Sequence, residues 1–372
     1  MPKSSKGNKQ VGSTTVRLHV GEAANTLADY IIKTQRMNME AKYFNSFMLW
    51  GPPGVGKSQS LYTIRDLVTK ALNKKVVITD VRLLLFNPVD LRGIPVPDVN
   101  KEFAIWLKPQ IFNMDASEDV INILMMDEIS AAAPSVQAAS YQITLDRKVG
   151  EHKLPDNCYI ICAGNRVQDK SVAYKMPKAL ANRLTHFDIT TDIDDWKVWA
   201  INHGIDQSVI GYLNFKPDSL YKFDSSSDDN AFPTPRTWEM ASNYLKIFGS
   251  LENAFNCIAG CVGLGYAGEF KSYCNVYTKL PDIDKIARGE FTNKDYSNQP
   301  DVNYALSSSL CARAAKGDLK EIENIVNYIN GMQEEFSVLT MKDMMLIDNL
   351  KSKVIKLPAV LKWTRDNKHL IR

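Results

Sequence analysis

An apolar run from Phe44 to Trp50 empties into Gly51-Pro52-Pro53-Gly54-Val55-Gly56-Lys57-Ser58, and helical periodicity returns over residues 57–73 through Leu61, Ile64, Leu67, Val68 and Leu72. A strand, a glycine-rich turn and a helix start in that order leave few folds open. The glycines let successive backbone N–H groups turn inward on a phosphate, and the helix N-terminus adds partial positive charge. In that frame Lys57 reaches the β- and γ-phosphates of a nucleotide, and Ser58 ligates Mg²⁺. The expected nucleotide-contacting set is Gly51, Pro52, Pro53, Gly54, Val55, Gly56, Lys57, Ser58 and Gln59. A tight Gly/Pro turn carrying a chance Lys-Ser is the competing reading, and the flanking strand and helix disfavour it.

Further apolar runs follow. Val76 to Val81 is rich in β-branched residues, Ile121 to Met126 is continuously apolar, Tyr159 to Ala163 is apolar on both faces, and His186 to Ile189 reads as a last strand. Helical patterns over 21–36, 134–147 and 177–184 separate them. Strands buried on both faces and alternating with helices imply a parallel sheet covered on each side. The strand ending in Met126 delivers Asp127 and Glu128 to its tip. A carboxylate there can hold a metal's water shell, so Ser58 and Asp127 form the expected metal pair, and Glu128 is placed to polarise an attacking water. Asn165, at the tip of another buried strand, can hold that water or the terminal phosphate; its alternative is a turn-forming Asn.

Beyond about Thr191 the strand signals stop and helical patterns take over, at 196–201, 236–248, 254–270 and in further segments toward the C-terminus. The stretch 224–230, DSSSDDN, reads as a solvated loop. At 372 residues the chain is long enough for one sizeable α/β domain and a smaller one, and 45% hydrophobic against 23% charged residues marks a globular protein. A net charge of +3 gives little support for nucleic-acid or membrane-surface binding. The start, MPKSSKGNKQVG, is basic and polar with no apolar run behind it, and no segment reaches transmembrane length, so the expectation is a cytoplasmic protein. Of six cysteines, Cys158 and Cys162 share a strand and Cys257 and Cys261 lie one helical turn apart; both pairs read as small buried hydrophobes rather than ligands.

Phosphoryl transfer needs charge neutralisation beyond the metal, and Arg183 and Arg236 are the candidates. For each, a surface ion-pair partner is the equal alternative. With these residues in view the chain resembles the AAA+ ATPases, and within them the MoxR-like group. The phosphate loop, Asp127-Glu128, Ala163-Gly164-Asn165-Arg166, Met176-Pro177-x-Ala-Leu-x-Asn-Arg183 and Pro233-Thr-Pro-Arg236-Thr-Trp238 occur in that family's order, covering roughly residues 40–270. The resemblance implies ATP and Mg²⁺ as cofactors, Asn165 as the sensor-1 residue, Arg183 as an arginine finger acting on a neighbouring subunit, and Arg236 as the sensor-2 arginine. Asp90-Leu-Arg-Gly93 with Pro95 and Asp98 resembles the family's helix-2 insert, and Lys148 to Leu154 its pre-sensor-1 hairpin.

The expected fold class is therefore α/β: an AAA+ αβα P-loop core with a parallel sheet, then a mainly α-helical lid and C-terminal extension. The expected boundaries are a polar tail over 1–20, the nucleotide-binding domain over 21–192, the lid over 193–285 and the extension over 286–372. As partners the resemblance implies self-assembly into a hexameric ring, a protein client, and a protein with a von Willebrand factor A-type domain, in a chaperone-like remodelling role. A nucleic-acid motor or GTPase is one alternative; the Asn293-Lys294-Asp295 run has the wrong spacing for guanine reading of the small-GTPase kind. A nucleotide-binding scaffold is the other, and the presence of Glu128 and Arg183 weighs against it. Between Arg82 and Met114 four prolines break the pattern into an insertion, where Phe103 and Trp106 are expected to be core aromatics rather than client-gripping ones.

Overall fold

A computed structural model describes residues 15–169, 174, 176–224, 226–292, 297–367 and 369. Most of the expected polar tail, Ser225 of the acidic loop and Asn293-Lys294-Asp295 lie outside the described residues. The chain divides into two compact units, one running through Pro53 and from Lys57 to Thr190, the other comprising Gly54–Gly56 and Thr191 onward.

In chain order the first unit contains β1 (Val16–His19), α1 (Val20–Arg36), β2 (Ser46–Trp50), α2 (Ser60–Leu72), β3 (Lys75–Arg82), α3 (Pro88–Arg92), β4 (Ile94–Pro97), β5 (Ala104–Leu107), β6 (Val120–Asp127), α4 (Pro134–Asp146), β7 (Lys148–Val149), β8 (His152–Lys153), β9 (Cys158–Gly164), α5 (Lys178–Ala181) and β10 (Leu184–Thr190). Among the described residues its main sheet has six strands in the order β1-β10-β2-β9-β6-β3. Every neighbouring pair is parallel. Parallel strands need crossovers that cover both faces, which is why β6 and β9 are buried almost end to end and read as unbroken apolar runs. Met48, Leu124, Met126, Ile160 and Cys162 form the core beneath the strand tips. Cys158 and Cys162 are fully buried there, and burial pushes each thiol up to about 12.

The α/β architecture read from the sequence is present, with three local differences. The first is β1, which falls inside the stretch read as polar tail; Val16 to His19 pair with Phe187 to Thr190 and extend the sheet by one strand. At the sheet edge its four residues, Val-Arg-Leu-His, are exposed or half-buried and leave no apolar run to detect. The second concerns the insertion, where α3 leads into an antiparallel β4–β5 hairpin whose residues are mostly exposed. Phe103 at its turn is 70% exposed and Trp106 half-buried, so the expectation of core aromatics is corrected. A two-stranded ribbon has no second layer under which to bury them. The third is the short helix expected over 177–184, which is only α5, with β10 already under way at Leu184.

The second unit is helical among its described residues: α6 (Ile193–Asn202), α7 (Gln207–Phe215), α8 (Pro235–Phe248), α9 (Leu251–Val262), α10 (Leu264–Cys274), α11 (Ile283–Arg288), α12 (Pro300–Ala314), α13 (Leu319–Ile329), α14 (Glu334–Leu346), α15 (Asp348–Val354) and α16 (Pro358–Asp366). The segment 254–270, expected as one helix, is broken into α9 and α10 at Gly263, whose φ of +91° is a conformation that side chains resist. Two cores hold the unit: one around Tyr212, Trp238 and Phe270, the other around Leu310, Ile325, Tyr328 and Trp363. No helix among the described residues is long and apolar enough to cross a membrane.

Candidate functional site

The C-terminal tips of β2, β6 and β9 stand side by side in the sheet, and each delivers part of the site. From β2 the chain enters the glycine-rich loop, where Gly54 and Gly56 take φ values of +78° and +107° that only glycine adopts cheaply. The Gly51 N–H donates to the Gly164 carbonyl at 3.2 Å, tying the loop's root to the end of β9. The loop ends in a tight turn rather than regular helix; α2 begins at Ser60, whose hydroxyl donates to the Lys57 carbonyl at 2.6 Å. Val55 is buried, Pro52 and Pro53 are half-buried, and Gln59 is exposed at the N-cap of α2.

Lys57 is buried, and its ammonium donates to the Gly51 carbonyl at 2.5 Å, the Pro52 carbonyl at 3.0 Å and Asn165 Oδ1 at 3.0 Å. Ser58 Oγ donates to Asp127 Oδ2 at 2.8 Å, and Asp127 Oδ1 accepts the Glu128 backbone N–H at 2.8 Å. Residues 69 and 108 positions apart in the chain thus meet at one place, in charge-assisted hydrogen bonds worth about 1.5–3 kcal/mol each. Glu128 sits at φ +57°, in the left-handed region that a glutamate rarely occupies. Such a conformation costs on the order of 1–3 kcal/mol and concentrates at functional sites. The carbonyl of Glu128 accepts from Ala131 N at 2.9 Å, which holds the turn.

Three supporting residues were not legible as part of the site. Ser130 Oγ accepts the Asn165 backbone N–H at 3.0 Å. Asp80 lies close enough to Asp127 that burial first, and the Asp127 charge second, hold its carboxyl above the usual range. Arg166 pairs with Asp169 at 3.6 Å and with the buried Asp188 of β10 at 3.8 Å, anchoring the chain just past Asn165. The Ser130–Asn165 bond and the Arg166–Asp188 pair join segments 35 and 22 positions apart, so no local pattern announces them.

The residues fit a magnesium nucleotide. Among the described residues no cluster of three or more His, Cys, Asp or Glu could hold a metal unaided. Mg²⁺ characteristically takes one or two protein groups and completes its shell with water and phosphate oxygens. Ser58 and Asp127, with Asp80 adding negative charge nearby, suit that division.

Arg183 is exposed in the turn that closes α5, its N–H donating to the Leu180 carbonyl at 3.0 Å. Burial pushes the Tyr141 phenol of α4 up, and the Arg183 guanidinium pulls it back. Arg236 belongs to the second unit, exposed in the first turn of α8 behind a Thr234–Thr237 capping box.

No protein-family model matches the chain. No curated protein matches it either. Solved structures similar to it include a mutant of Thermotoga maritima RuvB, at 13% identity over 79% of this chain and 86% of that one with a TM-score of 0.34. Others are domain III of the Thermotoga maritima replication initiation protein DnaA, at 15% over 68% and 92% with 0.37, and the Aeropyrum pernix ORC2 protein, at 12% over 74% and 75% with 0.35. The fold is α/β, a P-loop core with a parallel sheet followed by a helical unit. What carries that statement is internal to the chain: the parallel strand order with the phosphate loop at the tip of β2, between β10 and β9, and a helical unit after the last strand.

Proposed function

We propose that this chain is a Mg²⁺-dependent ATPase. The observation that carries the reading is the convergence of Lys57, Ser58, Asp127 and Asn165 into one hydrogen-bonded cluster at the strand tips. In this reading the loop Gly51–Ser58 and Gln59 bind the phosphates, Lys57 meets the β- and γ-phosphates, and Ser58 and Asp127 hold the metal. Bound Mg²⁺ neutralises charge on the transferring group. Glu128 polarises the attacking water from its fixed left-handed turn, and Asn165 orients that water or the γ-phosphate. Arg183 acts as the finger toward a neighbouring subunit and Arg236 as the sensor of the helical unit, so the working form is a ring. The finer reading, a MoxR-like remodeller of a protein client with a von Willebrand factor A-type partner, rests on the motif order alone.

The test is turnover of ATP, and of GTP beside it, by the parent and Glu128→Gln, with nucleotide binding measured in parallel. The expected result is unchanged binding and turnover lower by about 10²–10³. Parental turnover by Glu128→Gln would remove the assignment of the base, and GTP turned over in preference to ATP would correct the substrate.

A further inference from the structure

Trp50 is the last residue of β2 and immediately precedes the phosphate loop. Its indole N–H donates to His186 Nδ1 at 2.9 Å, with the two rings within 13° of parallel. On the other side of the imidazole, Nε2 lies 2.7 Å from the carbonyl of Ala181, the last residue of α5 and two before Arg183. An indole nitrogen only donates and a carbonyl only accepts, so Nδ1 must be bare and Nε2 must carry the proton. The ring is thus a bridge with one usable tautomer. It joins the root of the phosphate loop to the helix end that presents Arg183, and satisfies a carbonyl that a helix terminus leaves open. The next residue along the same face of β10, Asp188, pairs with Arg166 beside Asn165. Through two side chains of one strand, the finger segment is registered against both the phosphate loop and the Asn165 tip.

The geometry points to His186 as a positioning residue for Arg183: it sets where the finger stands relative to the subunit's own nucleotide loop, and thereby the rate of the neighbouring site that the finger serves. This rests on the finger reading of Arg183. His186 touches no reacting group, and misplacement of a catalytic group by about 1 Å can cost on the order of 10²-fold in rate.

The experiment is a double-mutant cycle in steady-state ATP turnover on the assembled full chain, with ring mass and melting temperature followed alongside. His186→Phe keeps the flat ring and loses both hydrogen bonds, whereas His186→Gln can still accept from the indole and donate to the carbonyl. Expected are a kcat lower by roughly 10- to 100-fold for His186→Phe, KM for ATP within about twofold because the phosphate contacts stay in place, and recovery of most of kcat by His186→Gln. On an Arg183→Ala background, His186→Phe should change nothing further, because the group it positions is gone. An equal loss from His186→Phe with or without Arg183, or a His186→Gln as slow as His186→Phe, overturns the inference and leaves a structural bridge. Impairment by Arg183→Ala together with a parental His186→Phe overturns the inference alone. Parental turnover by Arg183→Ala overturns the finger reading and takes the inference with it.

Discussion

Glu128 is the residue at which local preference and placement part company. Its φ of +57° puts the side chain where a β-carbon is disfavoured, and the conformation survives because Asp127 Oδ1 holds its N–H while Ala131 N holds its carbonyl. If that strain is stored for catalysis, removing the β-carbon should release it. Glu128→Gly should therefore be more stable than Glu128→Ala by about 1 kcal/mol, read as a shift in unfolding midpoint, with both variants inactive. Equal stabilities would mean that the turn is not strained. The contiguous part of this site was plain in the sequence, because Gly51 to Ser58 and Asp127-Glu128 are each local patterns at strand ends. Ser130 and His186 were not, since each is defined by a partner reached only through the sheet: Asn165 lies 35 positions from Ser130, and Trp50 lies 136 from His186.

Among elements, the buried parallel strands were legible because two-sided burial writes itself as an apolar run, and α8 because Pro235 follows a capping threonine. The edge strand β1 and the hairpin β4–β5 were not. In that hairpin Ile94, Val96, Ile105 and Leu107 share one face by register, so an apolar pattern that normally signals a core lies largely exposed. Helix packing in the second unit holds a different surprise: Lys197 of α6 and Asp343 of α14, both buried, pair at 2.9 Å, and Asn214 of α7 donates to Asp343 at 3.5 Å. Burial works against the Lys197 charge, but Asp343 and then Asp194 outweigh it and hold the ammonium above its usual range. Burial likewise holds the Asp343 carboxyl high, so the pair carries a desolvation cost. Lys197→Met alone should cost about 3–5 kcal/mol, because it strands a buried carboxylate, whereas Lys197→Met with Asp343→Leu should recover most of that loss. Urea unfolding of the full chain measures both. A double variant as unstable as the single would show that α6 and α14 depend on the ion pair itself.

For the whole molecule the proposed mechanism divides the parts between chains. The cluster of Lys57, Ser58, Asp127 and Asn165 is complete within the first unit, yet the exposed Arg183 stands beyond α5, which is the arrangement a trans-acting finger requires. A site completed by a neighbour must lose specific activity on dilution, because assembly falls with concentration. ATP turnover per chain should therefore rise with protein concentration in step with the mass of the assembly by light scattering, and Arg183→Ala should lower turnover in the assembled form by on the order of 10³. Two inactive partners then make the sharper test. Lys57→Ala retains a finger and lacks a working site, whereas Arg183→Ala retains the site and lacks the finger. Mixed, they place some intact fingers against intact sites, and part of the activity should return in proportion to the mixed interfaces. Turnover independent of concentration by a monomer, or a mixture as inactive as its components under conditions where both assemble, would mean that Arg183 serves its own chain or none, and the charge on the transferring phosphate would have to be met by Lys57, the metal and Arg236 alone.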